Sequence, residues 1–73
     1  MTDCILLIGH GSRQEAGNEE IRQFAELLAE RRPDWQLETC FIEFTEPLLG
    51  EGLDRAAARA DRVIAVPLIL NAA

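Results

Sequence analysis

The sequence contains no lysine and a single histidine among its 73 residues, and its positive charge rests on seven arginines against thirteen acidic side chains. The resulting net charge of −6 lacks the electrostatic footprint that nucleic-acid binding requires, so the expected partner is a small molecule. CxxC spacing is also absent. The two cysteines, Cys4 and Cys40, each lie within an apolar run, and they read as inert core thiols of a protein in the reducing cytoplasm. No apolar run approaches the ~18 residues needed to span a bilayer, and Met1-Thr2-Asp3 has no basic leader, so neither a membrane partner nor export is expected. Repeats, linkers and low-complexity segments are missing as well. What remains is one domain at most, of a size that buries only about 60% of the surface its unfolded chain exposes and is therefore marginal in stability. With 48% apolar and 27% charged residues it has a globular rather than a disordered profile.

The apolar pattern alternates strand and helix. Cys4 to Ile8 is apolar at consecutive positions, as in a parallel strand covered on both faces. A helix follows, with Asn18 as its expected N-cap and Ile21, Phe24, Ala25 and Leu28 as its apolar stripe. Arg31 and Arg32 suit its carboxyl end and Pro33 stops it. A second strand is expected over 35–44, alternating Trp35, Leu37, Thr39, Phe41 and Glu43 on one face with Gln36, Glu38, Cys40, Ile42 and Phe44 on the other. Thr45-Glu46-Pro47 suggests a cap and first turn for a second helix, striped by Leu49, Leu53, Ala56, Ala57 and Ala60. Gly50 and Gly52 would loosen its first turn, at about 1 kcal/mol each relative to alanine. The third strand, 62–70, contains Pro67, which must then sit at an edge, a bulge or the last turn. The order βαβαβ with short connections implies an α/β fold with a parallel sheet and right-handed crossovers.

In such a sheet the carboxyl ends of all strands share one edge, so His10, Glu43 and Asn71 are expected to converge there. His10 sits between Gly9 and Gly11 directly after the first strand, where the absence of Cβ atoms lets a ligand approach ring and backbone. Neutral imidazole with one carboxylate suits a divalent first-row metal held open for transfer, or proton relay, rather than a closed structural site. Ser12 and Arg13 extend the same turn toward the first helix, where backbone amides and a guanidinium favour a carboxylate or phosphate. Cys4 lies roughly 20 Å from His10 along an extended strand at ~3.3 Å per residue, too far to share its metal. Cys40 points away from Glu43.

Leu7-Ile8-Gly9-His10-Gly11-Ser12-Arg13, then Gly17-Asn18, then Phe41-Ile42-Glu43 followed by Pro47, then Val63-Ile64-Ala65-Val66-Pro67-Leu68-Ile69-Leu70, resemble the amino-terminal part of the CbiX/SirB sirohydrochlorin chelatases over essentially the whole chain. The resemblance implies a three-layer chelatase-like domain over 1–73. It also implies ATP-independent insertion of Co2+ or Fe2+, with Ni2+ as a further candidate, into a tetrapyrrole for cobalamin or siroheme synthesis, with no organic cofactor. By the same resemblance His10 is the catalytic and metal-binding imidazole, Glu43 the catalytic and metal-binding carboxylate, and Gly11, Ser12 and Arg13 line the substrate. The chain stops at Leu70-Asn71-Ala72-Ala73, short of the family's glycine-rich stretch with a second active-site histidine. It therefore reads as a partial member that leaves its third strand uncovered and is prone to unfold, aggregate or form a homodimer through the sheet edge. Three other readings stay open: a metal- or tetrapyrrole-binding module without turnover, a half-domain that folds only by pairing, and a phosphohistidine enzyme like the histidine phosphatases. Against the last, Gly9 stands where those enzymes carry the arginine that holds phosphate.

Overall fold

The computed structural model describes residues 2–68. Strand β1 (Asp3–Gly9) is followed by helix α1 (Glu15–Arg31), strand β2 (Gln36–Phe41), helix α2 (Leu49–Arg59) and strand β3 (Arg62–Leu68). The three strands are parallel in the order β2-β1-β3, with Ile5 opposite Leu37 and Ile64, and Gly9 opposite Phe41 and Leu68. The most apolar strand thus occupies the centre, as continuous hydrophobicity demands of a strand covered on both faces.

Period-two alternation sends β1 side chains to two layers. Toward α2 point Cys4 and Leu6, which form a solvent-free cluster with Cys40 and Ala56, bordered by Ile8, Leu49, Ala60 and Val63. Toward α1 the buried side chains are Leu7, Phe41 and Ile21, and Gly9 passes so close that a Cβ there would lie 3.0 Å from the Phe41 ring. One helix on each face gives the α/β three-layer architecture expected. At the amino end of the sheet Arg62 donates to both carboxylate oxygens of Asp3 at 2.9 and 2.8 Å, and the Asp61 and Arg62 amides donate to the Thr2 carbonyl. That end is cross-tied and carries no free histidine.

Several boundaries differ from expectation, each for a local reason. Asn18 does not cap α1, which begins a turn earlier at Glu15 behind an extended Gln14. Its amide is instead spent on the peptide of Ser12. The other end is as expected, with Arg31 the last helical residue and the Arg32 amide donating to the Leu28 carbonyl. Phe24 lies at the margin of the α1 stripe and is 47% exposed, because the helix meets the sheet along Ile21, flanked by half-buried Ala25 and Leu28. Strand β2 ends at Phe41 rather than Phe44. Backbone pairing continues for two residues as the Ile42 and Glu43 amides donate to the Gly9 and His10 carbonyls, and Phe44 then reverses the chain at φ 72°.

Helix α2 starts at Leu49, not at Thr45-Glu46-Pro47, because the Pro47 carbonyl accepts from the Phe41 amide and Leu48 bridges Phe41 in extended conformation. The buried line of α2 is Gly52 and Ala56 with half-buried Leu49 and Ala60, while Leu53 and Ala57 are exposed. Gly52 is not a loosening element. Its amide bonds the Leu48 carbonyl at 2.9 Å, and a Cβ would stand 2.5 Å from the Cys40 Cβ, so the glycine is the contact surface itself. In β3, Pro67 lies on an edge strand of the described sheet, as its missing donor requires. Ile69, Leu70 and Asn71 fall outside the described residues.

Candidate functional site

His10 follows the last residue of the central strand, and Glu43 stands two residues beyond the end of β2. Parallel register therefore sets them side by side, and the extra pairing of Glu43 N to His10 O at 3.1 Å locks their backbones together. The His10 Nε2 and Glu43 Oε1 atoms lie 3.2 Å apart, with the side chains 74% and 50% exposed. An exposed pair of this kind contributes about 0–1 kcal/mol to stability, so its value to the fold is small while its accessibility to a ligand is high. The imidazole as a whole remains within reach of solvent. A donor hydrogen on Nε2 would leave Nδ1 free as a ligand oriented by the carboxylate, whereas a cation entering between the two would use both as ligands.

The turn that carries His10 is built from glycine and one asparagine. Gly11 has φ 95°, and a Cβ there would fall 1.8 Å from the Glu43 carbonyl oxygen, so only glycine permits the two loops to close on each other. The Ser12 amide donates to Asn18 Oδ1 at 2.7 Å, and Asn18 Nδ2 donates to the Ser12 carbonyl at 2.8 Å. Asn18 is 2% exposed, so this paired contact replaces solvent for both peptide groups. The Ser12 hydroxyl accepts from the Gln14 amide at 3.0 Å, which draws the turn into the start of α1.

A cleft of about 360 Å3 opens beside the ring, lined by His10, Gly11, Ser12, Gly17, Asn18, Glu20, Ile21 and Leu68. A larger one of about 490 Å3 lies at the amino end of the strands among Asp3, Asp34, Trp35 and Ile64. It contains no histidine, so the smaller cleft is the better site. Arg13 is exposed with its guanidinium 5.1 Å from the centroid of the Phe44 ring, and it makes no ion pair among the described residues. It is a cation free for an anionic group, held next to the Glu43 loop.

The structure thus joins His10 to Glu43 and sets His10, Gly11 and Ser12 along the cleft, whereas Glu43 and Arg13 do not line it, the Arg13 guanidinium lying against Phe44 instead. Asn71 lies outside the described residues. Cys4 and Cys40 are free and buried on the α2 side, and burial pushes both thiols above their ordinary pKa, away from metal-ligating thiolates. Among the described residues no group of three or more His, Cys, Asp or Glu converges on a metal position. Sequence reasoning missed Thr45, Phe44 and Arg22 around the Glu43 loop. Arg22 carried no motif signal, since its partner lies 23 residues away.

A family model described as CbiX matches residues 4–73. A sirohydrochlorin cobaltochelatase of Priestia megaterium is 35% identical over 71 residues, covering 90% of this chain and 22% of that protein. One from Methanococcoides burtonii is 37% identical over 67 residues, covering 90% of this chain and 51% of its own length. A solved structure described as a cobalamin (vitamin B12) biosynthesis CbiX protein from Marinobacter aquaeolei VT8 superposes with a TM-score of 0.78 at 27% identity, over 100% of this chain and 59% of that one. The chain spans about a fifth of the first of these relatives and about half of the second.

Proposed function

Since this chain belongs to the CbiX family, we propose that it takes part in inserting a divalent metal into sirohydrochlorin, the macrocycle in the names of its curated relatives. Co2+ is the first choice of cargo because those relatives are named as cobaltochelatases. Fe2+ and Ni2+ suit the same donors, since imidazole and carboxylate bind across the first-row series without selecting one member. The observation that carries the reading is the exposed His10–Glu43 pair at 3.2 Å on the carboxyl edge of the sheet.

Insertion requires that the metal shed water, that its protein ligands let go, and that two pyrrole N–H protons leave as two metal–nitrogen bonds form. An exposed imidazole and carboxylate, with no third donor among the described residues, hold an ion loosely enough for transfer. His10 binds the ion or takes a proton. Glu43 ligates alongside it or carries the second proton to water. Sirohydrochlorin is itself rich in carboxylates and would be repelled by a protein of net charge −6. Arg13, free of an acidic partner among the described residues and steadied by Phe44, supplies the local positive charge that admits it. Gly11 and Gly17 line the cleft without side chains, so a flat ring can approach the backbone there. The site belongs to a chain in which no described helix is long and apolar enough to cross a membrane.

That only two donors converge among the described residues also supports a second reading, a module that binds metal or tetrapyrrole without turnover. Incubating the full chain with Co2+ and sirohydrochlorin, and following the tetrapyrrole absorption spectrum, separates the two. His10→Ala is expected to abolish Co2+ binding and insertion together. Glu43→Gln is expected to slow insertion at least tenfold with little change in melting temperature, because the pair is exposed. Binding without any spectral conversion would favour the module, and Co2+ affinity indifferent to His10 would overturn the metal assignment altogether.

A further inference from the structure

Asn18 and Arg22 stand one turn apart on α1, four residues separated and so on the same face of the helix. Each reaches a different loop of the site. Asn18 holds the His10 loop through the two hydrogen bonds to the Ser12 peptide. Arg22 donates through Nη2 to Thr45 Oγ1 at 2.9 Å, within the loop that carries Glu43. Its Nη1 pairs with Glu15 and, at 3.3 Å, with Glu19, and its guanidinium lies 5.4 Å from the centroid of the Phe41 ring. A planar fork with donors in two directions can satisfy both carboxylates and the threonine at once, which an ammonium cannot.

We infer that Asn18 and Arg22 are positioning residues that together set the His10–Glu43 separation, α1 serving as a bracket across the two loops. Neither touches the reacting pair. Both act two residues away from it: Asn18 on Ser12, and Arg22 on Thr45 and on Phe41, the last residue of β2. The Glu43 loop is otherwise tied to the sheet by backbone bonds at its two ends, from Ile42 and Glu43 to Gly9 and His10 and from Phe41 to Pro47, which leaves 44–46 between them. A side-chain tether from α1 is what keeps a loop reversed at Phe44 from peeling away and taking the carboxylate with it. The functional consequence rests on reading His10 and Glu43 as the metal-holding pair.

The test uses the full chain with Arg22→Ala, Arg22→Lys and Thr45→Val, and reads amide hydrogen exchange before any metal is added. Arg22→Ala and Thr45→Val are expected to speed exchange at Ile42 and Glu43 more than tenfold while Leu6 and Leu7 in β1 change less than about twofold. Arg22→Lys should behave like Arg22→Ala, because one ammonium cannot span Glu15 and Thr45. Loop amides that stay as protected as in the unsubstituted chain overturn the bracket. So does exchange that rises equally in loop and central strand, and so do loop amides unprotected from the start. A Co2+ titration then follows: Glu43→Gln is expected to cost about tenfold in affinity in the native background and less than threefold beside Arg22→Ala. An equal loss in both backgrounds overturns the bracket's role in metal binding. Co2+ affinity that ignores Glu43 in the native background refutes the metal-holding pair instead, and the exchange data still decide whether α1 holds the loops.

Discussion

Replacing Gly11 by alanine attacks the point where the two loops of the site meet. The added Cβ would sit 1.8 Å from the Glu43 carbonyl oxygen and 2.8 Å from its carbonyl carbon, in a backbone conformation of φ 95° that L-residues rarely adopt. Adopting such a conformation costs about 1–2 kcal/mol for a residue with a Cβ. The carbonyl would also have to withdraw by about 1 Å or more to restore ordinary contact, which breaks the 3.1 Å bond from the Glu43 amide to the His10 carbonyl. That loss adds about 0.5–1.5 kcal/mol. The expected total is a destabilisation of roughly 1.5–3.5 kcal/mol, a large share of the stability of so small a domain. Urea unfolding followed by tryptophan fluorescence measures it, since Trp35 is the only reporter of its kind. Co2+ titration of the surviving folded protein should show the pair disrupted, with affinity falling toward that of Glu43→Gln. An alanine variant as stable as the parent within about 0.5 kcal/mol, and unchanged in metal affinity, would refute the close approach on which the site geometry depends.

The two glycines of α2 should respond in opposite directions. Gly50, with nothing within 4 Å of a built Cβ, is expected to gain about 0.5–1 kcal/mol on substitution by alanine, whereas Gly52→Ala forces a Cβ to 2.5 Å from that of Cys40 and should lose about 1–3 kcal/mol despite its better helix propensity; matched denaturation midpoints decide it. Acid sensitivity follows from Asp3 and Glu15, whose carboxyls are held below the usual range chiefly by hydrogen bonds from Arg62 and Arg22. Their folded pKa values lie below the unfolded ones, so the stabilisation is present above the ordinary carboxylate range and is lost as pH falls through that range and below it. Arg62→Gln should flatten the Asp3 part of the slope as pH falls through and below the ordinary aspartate value of 3.8, and an unchanged pH profile would contradict the pairing.

The fold was legible because its strands are continuous apolar runs and its connections are short. From those, the parallel order and the meeting of His10 with Glu43 follow without knowledge of any distance. What escaped were contacts whose partners lie far apart in sequence. Asn18 looks like a cap because its carboxamide oxygen seeks a backbone N–H, and it does find one, but on Ser12 rather than on its own helix. The Arg22–Thr45 bond joins a helix to a loop 23 residues on, and no spacing rule reaches that far. Leu53 reads as core because a periodicity that counts apolar side chains gives no weight to glycine, and Phe24 because it falls at the margin of a stripe that meets the sheet along Ile21. Gly52 in fact defines the closest approach of α2 to the sheet and turns the helix so that Leu53 faces outward.

Among the described strands β1 is the one with a neighbour on each side, and His10 rides on its tip, whereas Glu43 hangs from the loop after an edge strand. On the proposed reading, the pair is one jaw set on the sheet and one set on a loop, so ions of different radius would be accommodated from the Glu43 side, and substitutions that retune the grip would belong in 42–48 and its tethers while the histidine arm stays unaltered.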